Sequence, residues 1–427
     1  MRFQEIGTWT PSTGRVALAA AALCLLAYFP FFWVPLISDD YLQIGLARMY
    51  GSWPGQQALF ADPLYRCRAT SLWLTWVADR LFGAQAVPLA SLCLALHWIN
   101  CLLVFSLGSW KRIGWPISAA AAFFFAVYEG HQEAVIWIAA MPELLVFTFG
   151  LACILGWMRW LQGGGRRWLA LTGVAYPLAL ISKESAVIVP ALLVLYAFVE
   201  DIPWRRWIIP IAIFGVLTVL YTLSIFEAKR SHLHFNDGTF SLSAPFLKTL
   251  VISIGRLFWF WGALALVAGL WSRSAPFLRT AAIALVWIVV TFLPYVFLTY
   301  MPRVPSRHTY WASAGLALLV GAALVQGLPR LTDRKLVLAG VVAAMIAHNC
   351  GYLWTKKLGQ YQERARSTEE LIEFSRRTPG LVRVRCFPYG SDIIYYALEI
   401  ADHRQRAQIE INAQATGDSY CFVAHED

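Results

Sequence analysis

The stretch "VPLISDDYLQIG", residues 34–45, sets two carboxylates directly behind an apolar run. That run, about 16–38, is long enough to cross a bilayer, because some 20 apolar residues in helix span a hydrocarbon core of roughly 30 Å. Arg2 and Arg15 precede it and no small-residue cleavage site follows, so it reads as a retained helix rather than a removed signal. Asp39 and Asp40 therefore stand where the chain leaves the hydrocarbon. Ionisable groups at such a boundary are costly and point to function. Adjacent side chains leave a backbone on different sides, so the two acids suit different jobs. One fits a general base, while the other holds geometry or caps the helix that follows.

The rest of the chain has the same apolar character. Of 427 residues, 59% are hydrophobic and 14% charged, with 20 Trp, 26 Phe and 17 Tyr. A soluble domain carries about 25% charged residues, so the composition describes an all-α polytopic membrane protein. The net charge of +10 does not imply nucleic acid, since Lys and Arg punctuate the ends of apolar segments and no nucleic-acid motif occurs. Further crossings read at about 86–108, 115–128, 138–161, 168–181, 186–200, 207–226, 248–271, 280–300, 311–327 and 335–354, about 11 with the first.

With the N-terminus inside, the inner connections hold 14 Lys and Arg in 54 residues, against 10 in 93 on the outer side. That asymmetry favours a cytoplasmic N-terminus and a non-cytoplasmic C-terminus. Acids show the reverse. Glu5, Glu200, Asp201 and Asp333 are inner, whereas Asp39, Asp40, Asp62, Asp79, Glu129, Glu133, Glu143, Glu184, Glu227 and Asp237 are outer. Two crossings, 115–128 and 168–181, are short. Each ends in a polar cluster, "YEGHQEAVIW" (128–137) and "ISKES" (181–185), as expected around a recess.

The first outer loop, 39–85, contains two amphipathic helices, "DYLQIGLARMYG" and "ATSLWLTWVADRLFG", each closed by Gly and expected to lie along the membrane surface. Residues 1–354 thus form a transmembrane domain. The tail, 355–427, reads as a polar helix followed by a strand, "LVRVRCF", in a small α/β appendage. Cys386 and Cys421 lie in this tail, on a side where a disulfide between them can form. The eight cysteines follow no metal spacing.

Several polar groups have chemistry at hand. His131 and Glu133 have spacing that suits a metal or a sugar hydroxyl, or an interfacial polar turn. Lys183 suits a phosphate on a lipid carrier, with an internal pair to Glu184 as the alternative. Arg303, Arg307, His308 and Tyr310, in "MPRVPSRHTYWASAG" (301–315), stand at the outer start of a crossing, where arginines bind phosphate with help from the helix dipole. His97, Asn100, His348 and Asn349 suit hydrogen bonds between helices.

Taken in order, "SDDY", "YRCRATSLWLTWVADRLFGAQAVPLASLCLALHWINCLLVF", "YEGHQEAVIWIAAMPELL", "ISKESAVIVPALLVLY" and "PSRHTYWASAGLALL" resemble the GT-C glycosyltransferases. The likeness is greatest to the membrane part of transmembrane-and-tetratricopeptide protein O-mannosyltransferases and their bacterial relatives. It covers about 38–320. The tetratricopeptide repeats are absent, and "SRHTYWAS" departs from the family's "ERYLYLPS"-like segment.

The resemblance implies an inverting transferase that moves a sugar from a polyprenyl-phosphate donor to an acceptor hydroxyl at the non-cytoplasmic face, in a bacterial inner membrane with a periplasmic tail. By motif position, Asp39 is the base and Asp40 the second candidate. Lys183, Arg303 and Arg307 would bind the donor phosphate. His131, Glu133, Glu184, His308, Tyr310 and Arg66 would contact sugar or acceptor. No cofactor is firmly implied, and a divalent cation would sit at His131 and Glu133 if one is used. The partners are then the lipid-linked sugar, an acceptor glycan, lipid or protein, and membrane lipids. The rival reading is a transporter or lipid flippase with an intramembrane polar pathway, which usually shows inverted repeats. None is found in this sequence.

Overall fold

The first apolar run folds as α1 (Thr13–Tyr28), extends through a 3-10 turn to Trp33, and turns at Ser38 into α2 (Asp39–Tyr50). The computed structural model describes residues 12–227, 241–298, 302–327, 334–411 and 419–422, so Arg2, Glu5, Asp237 and Asp333 lie outside the described residues. After α3 (Trp53–Ala61) and α4 (Ala69–Phe82), the chain runs through α5 (Ala86–Ser106), α6 (Trp115–Val127), α7 (Gln132–Ile136), α8 (Met141–Arg159), α9 (Arg166–Leu180), α10 (Val189–Val199) and α11 (Ile208–Glu227). It continues through α12 (Phe246–Phe258), α13 (Trp261–Ser272), α14 (Ala275–Phe292), α15 (Tyr310–Ala322) and α16 (Arg334–Tyr352).

A helix stands at every position expected for a crossing. Among the described residues, 7 helical stretches are long and apolar enough to span a membrane. An eighth is broken, because α12 and α13 meet at 79°. The chain is an integral, multi-pass membrane protein. The short members are α6, α9 with Pro177 inside it, and the stretch Glu184–Val199. At 13 residues, α6 rises only about 20 Å. It stops at Tyr128, and the polar sequence beyond it folds as short turns and α7.

The core of the bundle is α15, whose every residue is buried. Glycines let neighbouring helices approach it. A Cβ on Gly315 would lie 2.7 Å from the Ala284 carbonyl of α14, and one on Gly321 would lie 2.5 Å from the Ile117 carbonyl of α6. Small residues at such crossings are how membrane helices gain close packing without a hydrophobic driving force. Peripheral α11 buries only Phe214 among its 20 residues and keeps an apolar outer face, as a lipid-facing helix should.

The tail is not a loosely tethered unit. Through a π-helical turn at 353–357, α16 continues directly into α17 (Leu358–Arg377), one helical path from membrane to appendage. Beyond it come β1 (Val382–Cys386), α18 (Ser391–Asp402), β2 (Ile409–Ile411) and β3 (Tyr420–Cys421). These strands form a parallel sheet in the order β2-β1-β3, and a Cys386–Cys421 disulfide joins β1 to β3.

The two helices of the first outer loop have their expected lengths, and α4 ends at Gly83 with φ 72°, a left-handed turn that suits glycine. The setting of α2 differs from the open surface placement expected from amphipathic spacing, whereas α4 keeps Val77, Leu81 and Phe82 exposed. Most of α2 is buried, held to α4 by a bidentate Arg48–Asp79 pair at 2.8 Å and roofed by α18. At Gly45 a Cβ would fall 2.1 Å from the Tyr396 ring. The glycine lets α18 seat directly on α2.

Candidate active site

The two acids open α2, where carboxylates complement the helix dipole, yet their surroundings are opposite. Asp40 is 1% exposed. Its Oδ2 accepts from the Ile37 backbone N–H and its Oδ1 from that of Ala139, both at 2.9 Å. These bonds tie α2 to the turn ahead of α8. Burial pushes the Asp40 carboxyl up to about 7, against the pull of those two donors. Asp39 is partly exposed, and among the described residues no donor reaches its carboxylate. Burial raises it above the ordinary carboxylate range, and the charges of Arg364 and Arg307 oppose that rise.

Facing Asp39 is a cationic, aromatic wall. The guanidinium of Arg307 lies 5.0 Å from the centre of the Trp137 ring, and that of Arg364, from α17, lies 4.6 Å from it. Arg307 also donates its backbone N–H to Glu133 at 3.1 Å and pairs with the same carboxylate at 3.9 Å. Cation–π contacts of this kind are worth about 0.5–1 kcal/mol when exposed and about 2 when desolvated.

Next to this wall lies a buried network. Glu143, at the start of α8, accepts from Lys183 and from His308 through one oxygen, and from the Tyr295 hydroxyl at 3.1 Å through the other. Lys183 and His308 are 3.3 Å apart, and the His308 ring stacks on Tyr295 with centroids 4.6 Å apart. Lys183 thus pairs with Glu143, not with Glu184 as its neighbour in sequence suggests. Glu184 turns instead to Arg68 at 3.7 Å and accepts from the Cys67 thiol at 3.1 Å.

The other candidate residues are dispersed. His131 is fully buried, bonds to the Ser313 hydroxyl at 2.6 Å, and packs among His97, Phe125, Tyr128 and Tyr310. Tyr310 shares that core through His97 at 2.7 Å and Asn100 at 3.2 Å. Arg303 is exposed. Arg66 donates to the Ser224 carbonyl and lies 4.0 Å from Glu227. The helix-bridging roles expected of Asn100 and Asn349 are realised, the first to the Leu144 carbonyl at 3.1 Å and the second from the Glu129 N–H at 3.0 Å.

For a divalent ion, His131 offers little, since it sits in an aromatic core. The one group of three closely spaced ligands among the described residues is Cys24, His97 and Cys101, buried between α1 and α5. Both ring nitrogens of His97 are engaged, by Tyr310 and by the Ala126 carbonyl at 3.2 Å. Thiols also suit soft ions rather than the oxygen-seeking ions of sugar phosphates. This set does not fit a catalytic divalent cation.

Sequence reasoning missed Arg364 and Tyr361 of the tail, together with the roles of Trp137, Glu143, Arg68 and Tyr295. Trp137 and Glu143 lie in stretches already singled out. For the tail residues the sequence held no signal, because their partners are far away in the chain.

Neither a protein-family model nor a curated protein matches the sequence significantly. Solved structures do. ArnT from Cupriavidus metallidurans bound to undecaprenyl phosphate superposes with a TM-score of 0.58 at 13% identity, over 95% of this chain and 87% of that one. The same protein in its apo state gives 0.59 at 14%, over 92% and 86%. This chain has the GT-C fold. The archaeal oligosaccharyltransferase AglB from Archaeoglobus fulgidus, in complex with an inhibitory peptide and a dolichol-phosphate, gives 0.51 at 13%, over 94% of this chain and 64% of that one. Within this fold, Arg307 and Arg364 stack on Trp137, their charges act on Asp39, and Arg307 adjoins His308 of the Glu143 network.

Proposed function

We propose that this protein is an inverting glycosyltransferase that moves a sugar from a polyprenyl-phosphate donor to an acceptor hydroxyl at the non-cytoplasmic membrane face. The observation that carries the reading is Asp39, a partly exposed carboxylate without a hydrogen-bond donor from the described residues, within electrostatic reach of the Arg364 and Arg307 guanidiniums that stack on Trp137. The GT-C fold supports it, as do the neighbours described with undecaprenyl phosphate and dolichol-phosphate. In this scheme Asp39 takes the acceptor's hydroxyl proton while that oxygen attacks the anomeric carbon from the face opposite the phosphate. The bond from the anomeric carbon to the phosphate oxygen breaks, and polyprenyl phosphate leaves with the electron pair. The arginines stabilise the negative charge that develops on the leaving oxygen. Lys183, already paired with Glu143, acts through that buried network to hold His308 and the adjoining Arg307 in place.

The test is sugar transfer by full-length protein in lipid, with a panel of polyprenyl-phosphate sugars, comparing Asp39→Asn with Asp40→Asn. Asp39→Asn is expected to lose about 10²–10⁴-fold in turnover, the usual worth of a general base, while still binding polyprenyl phosphate and keeping its melting temperature. Asp40→Asn is expected to lower the melting temperature. Wild-type protein that moves lipid across the bilayer while leaving every donor intact would favour the transporter or flippase reading.

A further inference from the structure

The C-terminal tail reaches the donor side of the site with two residues one helical turn apart. Tyr361 and Arg364 share a face of α17. Tyr361 is 2% exposed. Its hydroxyl donates to Gln132, whose amide donates to the Ser306 hydroxyl at 2.8 Å, and its ring meets Phe31 edge-on at 6.1 Å. The tail helix is thereby fixed to α7, to the turn that opens α15 and to the end of the first crossing. Because α17 continues the membrane helix α16, this anchoring holds the position of Arg364 as well.

Arg364 lies over Trp137 and over Tyr361, at 4.6 and 5.5 Å from the ring centres, and forms no ion pair among the described residues. A guanidinium stacked on an aromatic ring uses its flat face and keeps its in-plane N–H groups for another partner. Trp137 adds a second observation. It is only 9% exposed, and its indole N–H has no hydrogen-bond partner among the described residues. A buried donor without an acceptor costs about 1–3 kcal/mol, a cost removed when an acceptor arrives. Two guanidiniums and an unpartnered N–H, gathered beside Asp39, fit a group with several acceptor oxygens and negative charge.

We infer that Arg364, carried in from the tail, binds the phosphate of the lipid-linked donor together with Arg307 and Trp137, so that the appendage forms one wall of the donor site. The inference rests on the proposed glycosyltransferase reading and deepens it. Full-length protein in lipid nanodiscs is titrated with undecaprenyl phosphate and with undecaprenol, which lacks the phosphate. The variants are Arg364→Ala, Arg364→Lys and, on exposed β1, Arg385→Ala.

Arg364→Ala is expected to weaken undecaprenyl phosphate binding at least tenfold, with part of the loss recovered by Arg364→Lys. Undecaprenol binding and Arg385→Ala should match wild type. Equal binding of undecaprenyl phosphate by wild type and Arg364→Ala overturns the inference alone. Loss of both lipids in parallel also overturns it, since that marks a structural role. Phosphate-selective, Arg364-dependent binding without sugar transfer sinks the enzymatic reading and leaves the phosphate site standing. A wild type that does not distinguish the two lipids removes both.

Discussion

Asp39 and Asp40 share a helix turn and a charge, and the difference between them lies in their neighbours. Both oxygens of Asp40 are taken by backbone N–H groups, at Ile37 and Ala139. An asparagine there offers one acceptor, and its NH₂ would face a donor, so the substitution should cost about 1–3 kcal/mol. In the proposed mechanism Asp39 carries the pH dependence. As a base it works only when ionised, and burial raises its carboxyl above the ordinary range. Turnover is therefore expected to fall as pH drops through that raised value, giving an acid limb at higher pH than an exposed carboxylate would. Arg364 and Arg307 hold the Asp39 carboxyl down against burial, and the Asp39 charge in turn adds to the rise of Asp40. Removing either arginine should move the limb to higher pH, which a pH series of kcat/KM would read. A limb that stays put in both variants would exclude Asp39 as its source. The sequence placed both acids just behind the first apolar helix and favoured Asp39 by motif position alone, without a physical reason to separate the two. That choice depends on an N–H from Ala139, which only the fold brings near.

At the scale of elements, the turn beyond α9 and the turn opening α15 act as a unit on α8. The turn at 181–188 sends Lys183 to Glu143 of α8, and the turn opening α15 sends His308 to the same carboxylate. The pair is buried, with side-chain exposures of 9% for Lys183 and 1% for Glu143. Breaking such a pair from one side typically costs about 3–5 kcal/mol, because the charge left behind is stranded. Glu143→Gln and Lys183→Met should each lower the melting temperature strongly, and the double variant by less than their sum. Strict additivity would show that the two do not act as a pair. Helix positions were legible because apolar runs of membrane length are unambiguous. The shortness of α6 was legible too. The choice of partner was not, since Lys183 has Glu184 beside it in sequence and only the turn geometry separates them. Likewise, amphipathic spacing gave α2 its length but not its cover. What lies over α2 is decided by Gly45, where the absent side chain admits Tyr396.

On the scale of the whole molecule, the appendage depends on a covalent link as well as on packing. The Cys386–Cys421 disulfide closes a segment with a sequence separation of 35, and loop entropy for a span of that size gives about 3–4 kcal/mol. Adding a reductant should loosen β3 from β1, measurable as faster amide exchange in 382–386. If α17 holds its place through Tyr361, exchange in 358–377 should change little. The sequence suggested that pairing and the α/β character of the tail, from the turn to alternating residues after a polar helix. It gave no hint that the tail would touch the site, because contacts between Tyr361 and Gln132 leave no local pattern.

The unbroken path from α16 into α17 also bears on biogenesis. Asp39 and Arg364 end on the same side of the bundle, so the chain must cross the membrane an even number of times between them. The second of these residues leaves the ribosome long after the first. The wall around Asp39 is therefore finished only when every intervening helix has been inserted in its proper direction. One helix threaded backwards would deliver residue 364 to the opposite compartment. On the proposed reading, a nascent or misinserted chain carries its acids without the arginine from the tail, and completion of the topology would be the event that switches the site on.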